Sequence, residues 1–142
     1  METNEVQRGR LIDHLQLVVG DLEKSKKFYR AALGVLGVPI GGESAEYFWA
    51  DELFVSTADS KAAQGQLTGR VHLAFQAGSA DVVKRFHEAA LAAGGTDNGA
   101  PGERPYHPGY FAAFVLDPDG NNIEVVYHGE GQRSAPSVVI KF

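Results

Sequence analysis

Two histidines occupy the same position in two copies of one sequence unit. Residues 14–33 and 72–91 agree at eight of twenty positions at an offset of 58, and both copies begin with His-Leu. A duplicated unit normally packs against its copy, so that equivalent residues lie symmetrically about a shared core. His14 and His72 therefore suggest a shared metal ion, since neutral imidazole is a common metal ligand.

Glu124 is a third candidate ligand, because it is a carboxylate in an otherwise apolar strand. Strand alternation puts Ile123 and Val125 on the opposite face from Glu124. An unpaired buried charge is costly, so we expect Glu124 to be paired, and two histidines with a cation would do this. A buried arginine partner or an exposed sheet edge are the alternatives. The chain has no cysteine, so imidazole and carboxylate are the available ligands and favour harder or borderline ions.

A second group of chemically capable side chains lies between the second helix and the last hairpin. The stretch Thr96–Gly109 is too rich in Gly and Pro for a central strand and predicts a long loop, which in a compact domain is usually functional. It carries Arg104, Tyr106 and His107, and Tyr110 follows. His107 has the chemistry of an acid, a base or an anion-binding donor. A histidine that is merely exposed on a surface loop is the alternative.

Three aromatic side chains lie in strand candidates of the first half. Phe48, Trp49 and Phe54 lie in two short strand candidates, where aromatics either line a pocket or fill the core. The remaining histidines, His87 and His128, have the pattern of structural or exposed residues.

The elements that position these residues form two similar modules, each with the order βαβββ. The first has a strand at Arg10–Val19, a helix that begins after Asp21 and is closed by Gly34 and Gly37, and short strands. The second has a strand at Val71–Ala77, a helix capped by Ser79 and stopped by Gly94-Gly95, and a hairpin. The short strands of the first module are Leu36–Ile40, Glu46–Ala50 and Leu53–Thr57, with turns at Gly41-Gly42 and Asp51-Glu52. The hairpin comprises Tyr110–Leu116, the turn Asp117–Asn121 and Asn122–Tyr127.

Length and charge bound the class of protein. The 142 residues predict one domain, 1–142, with module 1 at about 10–59, a connector at Ser60–Gly69, module 2 at about 70–128 and a tail at 129–142. Ser137–Phe142 is an extra edge strand or a packing arm. The net charge of −5 gives no basic footprint for nucleic acid. Without a long apolar run or an apolar segment in Met1–Arg10, we expect no membrane partner and a cytoplasmic location.

The chain resembles the vicinal oxygen chelate superfamily, which includes glyoxalase I, extradiol dioxygenases, and fosfomycin and bleomycin resistance proteins. The resemblance covers residues 10–128. It depends on Asp13-His-Leu-Gln-Leu-Val-Val-Gly-Asp-Leu with Phe28-Tyr29, on His72-Leu-Ala-Phe, and most specifically on Tyr110-Phe-Ala-Ala-Phe-Val-Leu-Asp-Pro-Asp-Gly-Asn-Asn-Ile-Glu124.

The resemblance implies an α+β fold in which two βαβββ modules form a cup-shaped, curled mixed sheet with helices on the outside. It also implies a divalent metal ion held by His14, His72 and Glu124, a small-molecule substrate and a homodimer. His107 and Tyr110 are then the candidate catalytic residues. The candidate substrate-binding residues are Phe48, Trp49, Phe54, Arg104 and Tyr106.

One departure from glyoxalase I narrows the chemistry. Alignment of the two modules puts Phe54 at the position equivalent to Glu124, where glyoxalase I-like members supply a second glutamate. Three protein ligands leave positions open for substrate oxygens. The expected function is a metal-dependent lyase, isomerase or dioxygenase that uses Fe, Mn, Ni, Zn or Co. The alternative is a non-catalytic binding protein of the bleomycin-resistance type.

Overall fold

The computed structural model describes residues 5–61, 63–135 and 137–142 and contains two βαβββ modules. Residues 1–4, Ala62 and Pro136, which fall in the predicted N-terminal segment, connector and tail, lie outside the described residues. The first module comprises β2 (Leu15–Val18), α1 (Leu22–Val35), β3 (Gly42–Glu43), β4 (Tyr47–Ala50) and β5 (Leu53–Ser56). The second comprises β6 (His72–Gln76), α2 (Ala80–Ala92), β7 (Thr96–Glu103), β8 (Phe111–Leu116) and β9 (Asn122–Tyr127). The terminal strands are β1 (Glu5–Arg8) and β10 (Val138–Lys141).

The two modules have the same strand topology. The first sheet has the order β2-β5-β4-β3 and the second has the order β6-β9-β8-β7. In each sheet the opening strand pairs in parallel with the closing strand, and the other pairs are antiparallel. Two helices and two four-stranded mixed sheets in the described residues confirm the predicted α+β, two-module fold.

The register of the parallel pairs confirms the alignment of the modules. Gln16 pairs with Phe54 in the first sheet, and Ala74 pairs with Glu124 in the second. Gln16 and Ala74 are equivalent at the offset of 58 residues. Phe54 therefore occupies the backbone position of Glu124, as the sequence predicts.

The chain separates into two compact units that do not coincide with the two modules. The first unit contains the described parts of 1–22, 38–68 and 132–142, and the second contains 23–37 and 69–131. Helix α1 thus follows the first strand of the first module but packs within the second unit.

The first unit has a buried face built from alternate strand residues. Leu17, Phe48 and Val55 are fully buried. They lie on the face of the sheet opposite to Trp49 and Phe54, because successive strand residues point to opposite sides. Strands β1 and β10 form a separate antiparallel ribbon in this unit, with Glu5 opposite Lys141.

The second unit is built from both helices and the second sheet. Phe86 on α2 is fully buried and lies 6.3 Å from the ring of Phe75 on β6. The predicted cap of α2 is confirmed, since the Ser79 hydroxyl accepts a hydrogen bond of 3.2 Å from the Val82 amide. On α1, the buried Tyr29 hydroxyl donates to Asp117 Oδ2 at 2.5 Å, which links this helix to the β8–β9 turn.

The β8–β9 turn depends on Asp117. Its Oδ1 accepts hydrogen bonds from the amides of Asp119 and Asn121, and its Oδ2 accepts one from the Asn121 side chain. Gly120 has a positive φ of 85°, the left-handed conformation that some β-turns require at a central residue. This network fixes the start of β9, and with it the position of Glu124.

Several boundaries differ from the sequence prediction. Thr96–Glu103 is strand β7 and not the beginning of a loop. The strand lies at the edge of its sheet, where Pro101 and glycines are tolerated, and its pairing with β8 contains two irregularities. Leu36–Ile40 is not a strand, and β3 begins instead at Gly42, where a turn was expected. Strand β1 was not predicted, because its partner β10 lies at the other end of the chain. Ser137–Phe142, for which an edge strand and a packing arm were the alternatives, contains strand β10, which pairs with β1 and not with either four-stranded sheet.

No helix among the described residues combines the length and the apolar character needed to cross a membrane.

Candidate functional site

Glu124 is the centre of a polar cluster in the second unit. It lies in the middle of β9, opposite Ala74 on one side and Phe114 on the other, and is 3% exposed. Its Oε1 lies 2.8 Å from His72 Nε2, and its Oε2 accepts a hydrogen bond from the Tyr110 hydroxyl. Both carboxylate oxygens are therefore directed at side chains that the sequence predicted as site residues.

His72 presents its ring at the opening of β6. Its side chain is 54% exposed, although the carboxylate that it contacts is buried. The imidazole also lies 6.0 Å from the ring of Phe114. His72 thus has one edge on Glu124 and one edge accessible to a ligand.

Tyr110 acts on Glu124 as a hydrogen-bond donor. It directly precedes β8, and its backbone amide bonds the His107 carbonyl at 3.1 Å, which closes a short turn. Burial, and then the hydrogen bond to Glu124 and the negative charge of Glu124, raise the pKa of Tyr110 to about 12. The nearby Arg104 charge opposes this shift. Tyr110 therefore remains protonated at neutral pH and keeps its proton directed at the carboxylate.

Three rings surround the ring of Tyr110. Tyr106, His107 and His128 lie edge-on to it at centroid distances of 4.9, 5.3 and 5.5 Å. His107 Nε2 also lies 2.9 Å from His128 Nδ1, and His107 Nδ1 lies 2.9 Å from the Pro108 carbonyl oxygen. The predicted residues Tyr106, His107 and Tyr110 are thus brought together.

His128 belongs to the same cluster, whereas its sequence pattern predicts a structural or exposed residue. A signal was present, because His128 is four residues beyond Glu124 and alternation puts both on one face of the chain. His87, by contrast, lies on α2 and bonds Asp97 at 2.9 Å. This hydrogen bond is the main cause that lowers the pKa of Asp97.

His14 lies in the first unit, immediately before β2. Its Nδ1 is 2.7 Å from Asp13 Oδ1, and its side chain is 58% exposed. The hydrogen bond with His14 is the first cause that lowers the pKa of Asp13. An ionised Asp13 favours a proton on Nδ1, which leaves the electron pair of Nε2 available for a ligand.

Trp49 and Phe54 form an aromatic pair beside His14. Their rings are 6.0 Å apart and inclined by 20°, and the Phe54 ring lies 5.4 Å from the His14 ring. Gly41 and Gly42 lie directly against the indole, since a Cβ at either would come within 2.5 Å of it. Phe48 does not join this pair, because it is fully buried in the core on the opposite face.

The sequence matches one family along most of its length. A family model described as the Glyoxalase/Bleomycin resistance protein/Dioxygenase superfamily matches residues 11–125. The chain belongs to this superfamily. No curated protein sequence matches it.

Solved structures of the superfamily have the same fold. A glyoxalase/bleomycin resistance protein from Albidiferax ferrireducens is 32% identical, with 82% of this chain and 98% of that chain covered and a TM-score of 0.69. A glyoxalase/bleomycin resistance protein/dioxygenase family enzyme from Burkholderia phytofirmans is 22% identical over 82% of this chain and 97% of that chain, with a TM-score of 0.65. A lactoylglutathione lyase from Agrobacterium tumefaciens is 19% identical over 83% and 93%, with a TM-score of 0.60.

Members of the superfamily commonly bind a divalent metal ion, and the side chains present are of a kind that fits one. Glu124 is a buried carboxylate whose desolvation a cation would offset. His72 contacts it, and His14 has its Nδ1 occupied by Asp13, as is usual for a metal-binding imidazole. His14 belongs to the first unit and the other two residues to the second. Within either unit, over the described residues, no three His, Asp or Glu side chains lie close enough together to hold an ion.

Proposed function

We propose that the chain is a divalent-metal-dependent enzyme that acts on a small substrate, which binds the metal through neighbouring oxygens. The observation that carries this proposal is the environment of Glu124. A carboxylate that is 3% exposed, with one oxygen on the His72 imidazole and the other on the Tyr110 hydroxyl, is expensive to maintain unless it serves a cation or a reaction.

His14, His72 and Glu124 are the proposed protein ligands. The ion would supply Lewis-acid stabilisation of negative charge on substrate oxygens. Phe54 at the position equivalent to Glu124 limits the protein ligands to three and leaves coordination positions for the substrate. It also removes the second glutamate that serves glyoxalase I-like members, so we favour another lyase, isomerase or dioxygenase reaction. Iron or manganese would favour dioxygen chemistry, whereas nickel, zinc or cobalt would favour isomerase or lyase chemistry.

The other site residues have distinct proposed roles. Tyr110 holds the orientation of Glu124. His107, with Tyr106 beside it, exchanges a proton with the substrate by way of His128, whose Nδ1 lies 2.9 Å from His107 Nε2. Trp49 and Phe54 contact apolar parts of the substrate, and Arg104 contacts polar parts. Phe48 has no role in this proposal, because it is buried in the core.

Members of the superfamily often form dimers, and we propose a homodimer here. The His14 ligand then comes either from the same chain as His72 and Glu124 or from a partner chain. The cytoplasmic location stays a prediction from the sequence.

Metal analysis tests the proposal. Protein purified without chelator is assayed for metal content, and the metal-free protein is titrated with Mn²⁺, Co²⁺, Ni²⁺ and Zn²⁺, and anaerobically with Fe²⁺. We expect one ion per site, and loss of at least tenfold in affinity in each of His14→Ala, His72→Ala and Glu124→Ala. His87→Ala is the matched control, since His87 also pairs with a carboxylate but lies on helix α2. Equal affinity in His72→Ala and His87→Ala would contradict the proposal.

A second candidate function is metal-independent binding of an aromatic compound, as in bleomycin resistance proteins. The stacked Trp49–Phe54 pair is the observation that favours it. This alternative predicts no stoichiometric metal, unchanged stability in His72→Ala, and quenching of Trp49 fluorescence by a planar ligand added to metal-free protein.

A further inference from the structure

The side chain of Arg104 turns back across the edge strand that precedes it. Its Nη2 donates to the Ala100 carbonyl at 2.8 Å, and its Nη1 donates to the Glu103 carbonyl at 3.3 Å. The guanidinium carbon lies 5.4 Å from the centre of the Phe114 ring. Two carbonyls and one aromatic face thus fix the guanidinium group in one place.

Two glycines of β7 make room for this arrangement. A Cβ at Gly99 would lie 3.3 Å from Arg104 Nη2 and 3.0 Å from Phe114 Cδ1, and one at Gly102 would lie 3.2 Å from Arg104 Nη1. The strand is irregular at the same residues, where its register with β8 shifts. The position of Arg104 therefore explains Gly99 and Gly102, two of the glycines that favour a loop over a strand in the sequence.

The positive charge of Arg104 has no carboxylate partner among the described residues. Its hydrogen bonds go to neutral carbonyls, which leave further N–H donors of the guanidinium group unused. Arg8 and Arg85, by comparison, pair with Asp13 and Asp81 at 3.2 and 3.0 Å. Arg104 is thus a partly exposed cation that is held in place and still has unused N–H donors.

The ring under Arg104 also borders the polar cluster. Phe114 pairs with Glu124 across β8 and β9, and its ring lies 6.0 Å from that of His72. Arg104 and His72 therefore both lie against the Phe114 ring, which makes the guanidinium group a neighbour of the polar cluster around Glu124.

We propose that Arg104 is a specificity-determining residue that receives an oxyanion of the substrate, a carboxylate or a phosphate-like group. This inference rests on the proposed function and names its substrate class. A guanidinium group binds such an oxyanion through two parallel N–H donors, which fixes the orientation as well as the charge of the ligand. The substrate would then be an acid whose anionic group lies on Arg104 and whose remaining oxygens face His72 and Glu124.

Inorganic phosphate and malonate are the probes, and glycerol is the neutral control. Calorimetric titration of the native protein should detect both anions and not glycerol. Arg104→Gln should weaken binding of the anions by roughly ten- to hundredfold, as expected for a charge-assisted hydrogen-bonded pair. Arg104→Lys keeps the charge without the planar donors and should fall between the two. Gly102→Ala would bring a Cβ to 3.2 Å from Arg104 Nη1, so it should shift the guanidinium group slightly and weaken anion binding less than Arg104→Gln does.

Arg85→Gln is the matched control, because it removes the same charge from an exposed helix position. Failure of the native protein to bind either anion, or equal losses in Arg104→Gln and Arg85→Gln, would overturn the inference. Metal content measured on the same samples separates this result from the proposed function. Normal metal binding with anion affinity independent of Arg104 refutes the inference alone, whereas anion binding that depends on Arg104 without metal binding refutes the metal proposal alone.

Discussion

Replacement of Glu124 by glutamine should change the stability of the protein in opposite directions with and without metal. Glutamine has the shape of glutamate and can still accept the Tyr110 hydrogen bond and contact His72, but it has no charge. In the metal-free protein, Glu124 is 3% exposed and is desolvated without a cation. Removal of a buried charge while its hydrogen bonds are retained is neutral or stabilising, so we expect the free energy of unfolding to stay equal or to rise by up to about 2 kcal/mol.

With metal bound, we expect the native protein to be more stable than Glu124→Gln. An ion at a hundred times its dissociation constant adds about 2.7 kcal/mol to the free energy of unfolding of a protein that binds it only when folded. If the loss of the carboxylate ligand weakens binding a hundredfold, the same concentration adds only about 0.4 kcal/mol to Glu124→Gln. The native protein should therefore be the more stable of the two in the presence of metal, and no more stable than the variant in its absence.

Urea denaturation with and without Mn²⁺ or Zn²⁺ measures both effects. Circular dichroism reports on the whole chain, whereas fluorescence of the single tryptophan, Trp49, reports on the first unit. The substitution Glu88→Gln on the exposed surface of α2 is the control for the loss of one carboxylate. A metal-free Glu124→Gln protein that is destabilised by more than about 2 kcal/mol would show that the carboxylate has a structural role. Undiminished stabilisation by metal in this variant would refute its assignment as a ligand.

Two further predictions concern hydrogen bonds in the second unit. Burial first, and then the charge of Asp117, raise the pKa of Tyr29 in the folded protein well above its usual value. The contribution of Tyr29 to stability is therefore complete below its unfolded-state pKa of about 10, and it is lost as the pH rises from there towards the folded-state pKa. Tyr29→Phe should cost about 1–3 kcal/mol at neutral pH and show a smaller loss of stability above pH 10, as measured by denaturation across this range; an unchanged alkaline slope would be inconsistent with this reasoning. The second prediction concerns the hydrogen bond between His107 and His128. The Pro108 carbonyl can only accept, so neutral His107 carries its proton on Nδ1 and its Nε2 accepts a hydrogen bond. His128 must then donate from its Nδ1, which leaves the electron pair of its ring on Nε2. Nitrogen-15 chemical shifts should report the Nδ1-protonated tautomer of His128 in the native protein and a shift away from it in His107→Ala, and the same tautomer in both proteins would rule out this hydrogen-bond order.

Local signals in the sequence were sufficient to predict most of the second unit. The Ser79 cap, the Asp117–Asn121 turn and the alternation around Glu124 depend on residues a few positions apart, and each is found in the structure. Alternation allows only one of Phe48 and Trp49 to share a face with Phe54, and the structure shows that Trp49 does so, whereas Phe48 is buried in the core. His128 could have been included by the same argument.

Features that depend on distant partners were not predictable in this way. Strand β1 forms because it pairs with β10 at the far end of the chain. Strand β7 forms against its own composition, since the edge position tolerates Pro101 and the glycines accommodate Arg104. The packing of α1 in the second unit depends on Tyr29 reaching Asp117, two residues 88 positions apart. In each case a tertiary contact overrides or completes a weak local preference.

The two modules show how a duplicated unit can acquire different chemistry at equivalent backbone positions. Glu124 is opposite Phe114 in the second sheet, and at the corresponding positions of the first sheet Phe54 is opposite Trp49. One module thus presents a carboxylate that a histidine and a tyrosine hold in place, whereas the other presents a stacked aromatic pair. Because the hydrogen-bonded ladders are the same, this difference lies in the side chains and not in the fold. The repeat therefore identifies the positions at which function is located, and the departures from the repeat, Phe54 above all, indicate which chemistry occupies each of them.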